Sequence, residues 1–195
     1  MMLPMTLLRS LCEKGFYEPM PIQRLVLPEA IKTRANIIGT AQTGSGKTLA
    51  FGLPILTRLV DAAASTTFGV NDDDENAVYR AYDAPQALII IPTRELAIQV
   101  KDHLQVCCKY NRIKIAVVVG GISQQKQERL LSKKPEIVVA TPGRLLQLIE
   151  EGNEYLGKIS MIKYFVIDEA DRMIERGHYS EMEKILAIIN RFVLL

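Results

Sequence analysis

Short apolar runs alternate with amphipathic stretches along the chain, and this pattern predicts two kinds of secondary structure. The apolar runs, each predicted to be a strand, lie at 36–39, 87–91, 114–119, 136–140 and 164–168. They contain few polar residues, which is typical of parallel strands covered on both faces. An amphipathic helix is predicted across 94–109, because apolar residues recur there at every fourth position. These residues are Leu96, Val100, Leu104 and Cys108.

Strands and helices in alternation predict an α/β fold with a mainly parallel sheet flanked by helices. A second apolar face, at 185–193, predicts a helix near the end of the sequence. A helix between successive strands returns the chain to the starting edge, so the strands run in one direction, and such crossovers are right-handed. Ligands of such sheets bind beyond the carboxyl ends of the strands. The residues that follow each strand are therefore the candidates for chemistry.

The composition is that of a soluble globular domain. Of the 195 residues, 48% are hydrophobic and 24% charged, and no apolar run approaches the ~20 residues that span a bilayer. The cysteines Cys12, Cys107 and Cys108 are odd in number and two are adjacent, which predicts reduced intracellular thiols rather than a disulfide framework. With only His103 and His178 as histidines, a zinc centre made of protein ligands is not expected.

The net charge of +2 is unevenly distributed. Residues 61–86 contain six acidic residues and one basic residue, so the rest of the chain carries +7. The acidic stretch also lacks hydrophobic periodicity, which predicts a mobile insertion within one domain spanning 1–195. A mildly basic body is compatible with a phosphate-rich partner, although an ordinary soluble surface carries a similar charge.

A glycine-rich loop follows the first predicted strand and precedes a helix-prone stretch. It reads AQTGSGKT at 41–48 and departs from the strict phosphate-binding pattern in having Ala41 at the first glycine position. Glycines let backbone N–H groups turn toward an anion, and the N-terminus of the next helix adds positive potential. In this pattern Lys47 reaches the β- and γ-phosphates of a nucleotide and Thr48 places a hydroxyl on Mg²⁺. The alternative is a chance Gly/Ser loop.

The predicted strand at 164–168 ends in two adjacent carboxylates, Asp168 and Glu169. A P-loop NTPase needs an acid at this place to hold Mg²⁺ from the protein side. Asp168 is the candidate metal ligand, and Glu169 is placed to orient or deprotonate an attacking water. In isolation an Asp-Glu pair is an ordinary solvated surface, but its position after a strand and downstream of the glycine-rich loop favours the functional interpretation.

Six segments, in the same order along nearly the whole chain, resemble the DEAD-box ATP-dependent RNA helicases. The first, GFYEPMPIQ at 15–23, is similar to the adenine-reading Q motif, and the second is AQTGSGKT at 41–48. Three segments are similar to those that contact the RNA backbone: PTRELA at 92–97, GG at 120–121 and TPGR at 141–144. The last is DEAD at 168–171. The resemblance implies the first of two RecA-like domains, a P-loop NTPase fold. It implies an ATP-binding domain of an RNA-dependent ATPase or RNA helicase, with ATP and Mg²⁺ as cofactors.

The resemblance also implies the site residues. The catalytic residues would be Glu169, Lys47, Asp168 and Asp171, and the metal ligands Thr48 and Asp168. Two of the ATP contacts would be Phe16, which stacks on the adenine, and Gln23, which pairs with the edge of that base. The other ATP contacts would be Thr43, Gly44, Ser45, Gly46, Lys47 and Thr48. The RNA-backbone contacts, which read no bases, would be Thr93, Arg94, Gly120, Gly121, Thr141 and Arg144. On the residues alone, Phe16 is better explained as a core aromatic, and Pro142 and Gly143 are ordinary helix-start residues.

Two departures from the family pattern bear on the extent of the protein and on the branch of the family that it resembles. The family's Ser-Ala-Thr motif, to which Asp171 would couple, and the second RecA-like domain do not occur in these 195 residues. We therefore expect a piece of a longer protein that binds nucleotide but is nearly inactive alone.

The second departure is Gly177-His178, which stands where many members have Gly-Phe. Together with the acidic insertion it resembles the nucleolar branch that acts in large ribosomal subunit assembly. That implies RNA, the second RecA-like domain and pre-ribosomal proteins as partners, a nuclear or nucleolar location, and no membrane.

Two other functions compete with this interpretation. A catalytically inactive RNA-binding scaffold would share the fold, but intact Lys47, Asp168 and Glu169 argue against it. A P-loop small-molecule kinase would have no reason to keep Gln23 or the TPGR segment.

Overall fold

A computed structural model describes residues 3–33, 35–67 and 82–190, the side chains of 66 and 67 excepted. The helices are α1 (Met5–Glu13), α2 (Pro21–Lys32), α3 (Lys47–Thr67), α4 (Arg94–Cys107), α5 (Gln124–Leu131), α6 (Pro142–Glu150), a 3-10 helix (Leu156–Met161), α7 (Ala170–Glu175) and α8 (Tyr179–Asn190). The strands are β1 (Ala87–Ile90), β2 (Ile115–Val118), β3 (Ile137–Ala140) and β4 (Tyr164–Ile167).

These residues form two compact units. One consists of the described part of Met1–Arg80 together with Asp102–Ile113, and the other of Ala81–Lys101 and Lys114–Leu195, again as far as described. Helix α4 begins in the second unit and ends in the first. Helix α4 confirms the helix predicted at 94–109, although it ends two residues earlier, at Cys107. The helix predicted near the end of the sequence is α8.

The second unit is built on a parallel sheet of four strands in the order β2-β3-β1-β4. All three strand pairs are parallel, as the apolar runs predicted. Strands β1 and β3 are wholly buried, whereas edge strand β4 is only partly buried. The core continues from the strands into α6, the 3-10 helix and α8, and includes Leu88, Val138, Leu145, Leu156 and Ile185. A parallel sheet needs this cover because both faces of its strands are apolar.

The carboxyl ends of the four strands are level. Ile90 of β1 pairs with Ala140 of β3 and with Ile167 of β4, and Ala140 pairs with Val118 of β2. Each strand therefore stops at the same height, and the segment that follows it begins at one common edge. The loops are fixed there by backbone hydrogen bonds, such as that from the Asp168 N–H to the Ile90 carbonyl oxygen at 3.0 Å.

The strand predicted at 36–39 is wrong. Residues 35–40 are exposed and have no strand assigned, and Ile38 is fully exposed. A strand exists only through its ladder with a neighbour, and among the described residues no strand pairs with this run. An apolar run of four residues predicts the tendency to form a strand but supplies no partner.

The first unit contains the glycine-rich loop between this exposed run and α3. Helices α2 and α3 pack against each other, and the Arg58 guanidinium donates a hydrogen bond to the Ile31 carbonyl oxygen. The absence of a side chain at Gly52 lets α3 approach Leu104, since a Cβ there would overlap the leucine. Cys107 and Cys108, at the end of α4, are buried, whereas Cys12 is exposed.

Helix α3 also corrects the predicted insertion. The mobile stretch was placed at 61–86, but α3 continues to Thr67. The cause is local: alanines at 62–64 are strong helix formers, and the Ser65 hydroxyl bonds to the Asp61 carbonyl oxygen at 2.8 Å. Residues 68–81 of the predicted insertion lie outside the described residues. The last five, 82–86, lead into β1 and are buried at Ala84, Pro85 and Gln86, so the prediction extended too far at this end as well.

Helix α3 is long and apolar enough to cross a membrane over Lys47–Ser65, judged by length and composition only. Core helices of soluble proteins meet the same criterion, and 44% of this stretch is buried inside the protein. Leu53, Ile55, Leu56 and Leu59 are each at most 4% exposed. This burial identifies α3 as a core helix of the first unit.

Candidate nucleotide and RNA sites

The glycine-rich loop has the backbone geometry of an anion-binding turn. Gly44 has a φ of +82° and Gly46 a φ of +88°, a left-handed conformation that L side chains rarely adopt. Helix α3 begins at Lys47, directly after the second of these glycines. Successive left-handed and right-handed residues turn their N–H groups to one side, and the N-terminus of α3 adds its positive potential there.

The side chains of this loop fit a phosphate chemically. The Lys47 ammonium donates to the carbonyl oxygens of Ala41 and, at 3.2 Å, of Gln42, so that it lies over the loop. The Ser45 hydroxyl is buried without a hydrogen-bond partner, which is costly unless a ligand or water satisfies it. A Cβ placed on Gly44 would meet nothing within 4 Å, so the loop is open on that side.

Gln23 joins the Q-motif segment to the glycine-rich loop. It lies in α2 and is only 6% exposed. Its Nε2 donates to the Gly46 carbonyl oxygen at 3.0 Å, and its Oε1 accepts from the Met20 N–H at 3.0 Å. A primary amide carries two donor hydrogens and two acceptor lone pairs. The contact with adenine that the family implies for Gln23 therefore stays a prediction, compatible with these two bonds.

Phe16 is exposed, with 48% of its surface accessible. This excludes the interpretation of Phe16 as a core aromatic. Its proposed stacking on adenine remains a prediction.

In the second unit the DEAD segment at 168–171, the acid motif, occupies a strained turn after β4. Glu169 has φ +54° and ψ +47°, and it is the N-cap residue directly before α7. Left-handed backbone is uncommon for a residue other than glycine, and such strain clusters at functional sites. Asp168 Oδ1 accepts from the Glu169 N–H at 3.1 Å. The Glu169 carboxylate is paired with Arg172 Nη1 at 2.9 Å, a contact that the sequence analysis did not foresee although the i, i+3 spacing on a helix permits it.

Two of the predicted RNA segments contact each other directly. Arg94, at the start of α4, donates from Nη1 to the Gly120 carbonyl oxygen at 3.3 Å. A Cβ on Gly121 would overlap the same guanidinium group. Thr93 accepts the Leu96 N–H on its hydroxyl at 3.3 Å and so helps to start α4. The prediction that segments after different strands meet at one edge is confirmed for this pair.

The third RNA segment forms the N-terminus of α6. Thr141 precedes the helix in extended conformation and Pro142 is its first residue. The first intrahelical bond runs from Leu145 N–H to the Thr141 carbonyl oxygen at 3.1 Å. The N–H groups of Gly143 and Arg144 come before it and point out of the helix end. The Arg144 Nε is buried without a hydrogen-bond partner.

An acidic residue that the sequence analysis missed lies at this helix end. Glu181, on α8, places Oε1 3.9 Å from the position that a Cβ on Gly143 would take. A hydrogen bond from its own backbone N–H, and further ones from Ser180 and His178, lower the pKa of the Glu181 carboxyl against a smaller opposing effect of burial. The carboxylate is therefore ionised at neutral pH.

The predicted residues thus divide between the two units. The predicted ATP contacts lie in the first unit, and the acid motif and the RNA segments lie in the second. Within the described residues no group of three or more His, Cys, Asp or Glu side chains could hold a metal ion. That is compatible with Mg²⁺, which binds through one or two protein oxygens plus phosphates and waters.

The chain matches a known protein family over most of its length. The family described as DEAD/DEAH box helicase matches residues 20–195. The chain is 50% identical over 176 residues to DEAD-box ATP-dependent RNA helicase 13 of Oryza sativa subsp. japonica, covering 90% of this chain and 21% of that protein. It is 42% identical to ATP-dependent RNA helicase ddx24 of Dictyostelium discoideum and 44% identical to ATP-dependent RNA helicase mak5 of Schizosaccharomyces pombe, covering 92% and 94% of this chain and 22% and 25% of those proteins. It therefore spans about a fifth to a quarter of their length.

Solved structures share the fold. The yeast DEAD-box splicing factor Prp28 superposes with a TM-score of 0.79 at 32% identity, over 96% of this chain and 41% of that one. A DEAD box protein from the hyperthermophile Methanococcus jannaschii gives a TM-score of 0.78 at 35% identity, over 97% of this chain and 46% of that one. The predicted RecA-like fold is thereby confirmed.

Proposed function

Because the chain belongs to the DEAD/DEAH box helicase family, we propose that residues 1–195 are the ATP-binding RecA-like domain of an RNA-dependent ATPase that remodels RNA or ribonucleoprotein. The observation that carries the proposal is the loop at 41–48. It combines two left-handed glycines, the start of α3 and a buried Ser45 hydroxyl without a partner. Those features suit the phosphates of a nucleotide. The alternative of an inactive scaffold is disfavoured because Lys47, Asp168 and Glu169 are all present.

Each loop residue has a physical role in this proposal. Backbone N–H groups of Thr43, Gly44, Ser45 and Gly46 surround the phosphates, and the Ser45 N–H gives up its 3.2 Å bond to the Gln42 carbonyl oxygen to do so. Lys47 exchanges the carbonyl oxygens of Ala41 and Gln42 for phosphate oxygens. Phosphate is the better partner because it carries full negative charge. Phe16 and Gln23 hold the adenine by stacking and by hydrogen bonds, as the family resemblance implies.

The metal would be held by oxygen ligands, the Thr48 hydroxyl and the Asp168 carboxylate, which are the donors Mg²⁺ prefers. When bound, Mg²⁺ neutralises charge on the phosphates during transfer. Glu169 orients the attacking water and accepts its proton. Asp171 connects the acid motif to the Ser-Ala-Thr motif expected elsewhere in a longer protein.

The RNA partner would lie on the edge formed by the three segments after β1, β2 and β3. Thr93, Arg94, Gly120, Gly121, Thr141 and Arg144 offer hydroxyl, guanidinium and backbone N–H groups there. Such groups bind phosphates and sugars without reading bases. The proposed RNA binding is therefore independent of sequence.

We extend the proposal to ribosome biogenesis, with pre-ribosomal proteins and a second RecA-like domain as further partners and a nuclear or nucleolar location. The support is the Gly177-His178 pair, which resembles the nucleolar branch, and the presence of helicases named ddx24 and mak5 among the relatives. Localisation of the tagged protein tests this part of the proposal.

Calorimetry with ADP and GDP tests the nucleotide assignment. A bidentate contact with the adenine edge is worth roughly 1–3 kcal/mol, which favours ADP by ~5–150-fold. Lys47→Ala should weaken both nucleotides alike, because it removes a phosphate contact and leaves the base site intact. Lys32→Ala, on an exposed helix end, is the matched control. Equal affinity for ADP and GDP, or an unaffected Lys47→Ala variant, would contradict the proposal.

A further inference from the structure

The carboxylate of Glu181 lies against the helix end to which RNA phosphate is assigned. Its Oε1 is 3.9 Å from the Cβ position of Gly143, the second residue of α6. The residue is partly exposed, with 30% of its side chain accessible, and ionised at neutral pH. A negative charge therefore lies close to Gly143, in the first turn of α6.

Two neighbours lie against the carboxylate, one of them within hydrogen-bond distance. The Ser180 hydroxyl donates to Oε2 at 3.1 Å, and His178 Nδ1 lies 3.7 Å from Oε1. His178 is the residue at which the sequence departs from the Gly-Phe form of the family. The Gly177 that precedes it has a φ of +76°, so the chain turns sharply into α8 and brings His178 and Glu181 to the same side, one turn apart.

Among the described residues of α8, Glu181 is the carboxylate that lies close to the start of α6. Lys184 of α8 is 3.8 Å from Glu150, which lies at the opposite end of α6. Glu183, the other acidic residue of α8 close by in sequence, is exposed. Arg144, whose Nε is buried without a partner, is the cation of the segment itself.

We propose that Glu181, held by Ser180 and His178, opposes RNA phosphate at the N-terminus of α6 and so lowers the RNA affinity of this domain. The inference rests on the proposed RNA-binding role of α6. A carboxylate at a helix N-terminus stabilises the helix, so the same group that favours the fold competes with the ligand. RNA phosphate must bind beside it or displace it.

The size of the effect follows from Coulomb interaction. Two like unit charges about 4 Å apart in water repel by ~1 kcal/mol, which is about five-fold in affinity. Salt screens this repulsion, so the effect is largest at low ionic strength. Removal of the charge without loss of volume, by Glu181→Gln, should therefore tighten RNA binding about five-fold.

Anisotropy titrations with a labelled single-stranded oligouridylate test the inference at neutral pH and low salt. Glu183→Gln is the matched control, since it changes the net charge by the same amount on the same helix away from Gly143. Glu181→Gln should tighten binding about five-fold and Glu183→Gln by less than two-fold. Equal changes in the two variants, or weaker binding by Glu181→Gln, would overturn the inference. Weaker binding to the oligouridylate but not to the matching DNA would show instead that the carboxylate accepts a ribose hydroxyl.

A second pair of variants separates this inference from the proposed function. Arg144→Ala should weaken RNA binding in both the wild-type and the Glu181→Gln background. If Arg144→Ala has no effect while RNA still binds, the RNA role of α6 fails, and the inference fails with it. If Arg144→Ala weakens binding and Glu181→Gln does not strengthen it, only the inference fails. Thermal unfolding of each variant establishes that the fold is kept.

The role of His178 is tested by His178→Phe, which restores the common family residue. Without its neighbour the carboxylate can turn toward solvent, so RNA binding should tighten by less than in Glu181→Gln. His178→Phe should bring no further gain in RNA affinity when it is combined with Glu181→Gln, because the double variant has no carboxylate left to turn away. A gain that persists in the double variant would overturn the positioning role of His178.

Discussion

The side-chain amide of Gln23 donates from Nε2 to the carbonyl oxygen of Gly46 at 3.0 Å, so the residue expected to read adenine also fastens the glycine-rich loop at 41–48. The two functions are joined in one buried side chain. A buried hydrogen bond of this kind contributes about 1 kcal/mol net, and more when one partner is left unsatisfied.

Gln23→Ala should therefore affect both base and phosphate recognition. The preference for ADP over GDP should disappear, and the affinity for both nucleotides should fall because the loop is less firmly held. Calorimetry with the two nucleotides measures both effects, and Gln105→Ala, at an exposed glutamine of α4, is the control. A variant that lost selectivity with unchanged GDP affinity would show that the bond to Gly46 does not support the loop.

The two glycines of the loop allow a comparison of backbone strain with side-chain overlap. A Cβ on Gly44 meets nothing within 4 Å, whereas a Cβ on Gly46 would overlap the Gln23 amide. Both residues have positive φ, so alanine costs ~1–2 kcal/mol at either place. Gly46→Ala should cost more, since it also displaces Gln23. Urea unfolding and ADP calorimetry of the two variants check this order, and equal losses would contradict it.

Glu136 is a buried carboxyl that should make stability depend on pH. It is 2% exposed, accepts the Lys114 N–H on Oε2 at 2.7 Å, and has no partner on Oε1. Burial raises the pKa of the Glu136 carboxyl above its ordinary value of 4.5, in spite of the opposing hydrogen bond from Lys114. Its favourable contribution is therefore full below pH 4.5 and is lost as the pH rises through the raised value.

Glu136→Gln should remove this loss. The free energy of unfolding of the variant, compared with that of the wild type, should increase as the pH is raised above 4.5. Urea unfolding across this range measures the difference. Glu128→Gln, at an exposed position of α5, should show no such trend, and a flat difference for Glu136→Gln would refute the argument.

Glu169→Gln should separate hydrolysis from binding. Loss of a group that positions and deprotonates water costs typically 10²–10⁴ in rate, while the ADP contacts proposed in the loop at 41–48 are untouched. The assay is RNA-stimulated phosphate release by a form of the protein that hydrolyses ATP. Glu175→Gln, exposed on α7, is the control. Turnover that survives Glu169→Gln would remove Glu169 from the proposed mechanism.

The sheet was largely predictable, because it depends on short local patterns. Four almost wholly apolar runs became four parallel strands, and the candidate binding segments follow them along the chain. The run at 36–39 failed because pairing is a property of two segments, not one. The prediction for 61–67 was wrong because it followed the acidic charge of the whole stretch, although the alanines at 62–64 favour a helix.

Contacts between distant segments could not be predicted. Nothing in the spacing of Gly143 and Glu181 along the chain indicates that α8 brings a carboxylate to the start of α6. The overlap that a Cβ on Gly121 would make with Arg94 also depends on two loops that leave different strands. Sequence patterns predict the groups that bind, and the fold adds the neighbours that contact them.

The level ends of the four strands limit how this chain can vary. One residue of a strand spans about 3.3 Å, whereas a binding site tolerates displacements of only about 0.5 Å. One residue added to β3 would lift Thr141 out of line with Asp168, although both loops kept their sequence. Insertions and deletions should therefore be tolerated at the opposite edge of the sheet, in the turns that lead into the strands. They should be harmful where the strands end and the motifs begin, directly after the paired row Val118, Ala140, Ile90 and Ile167.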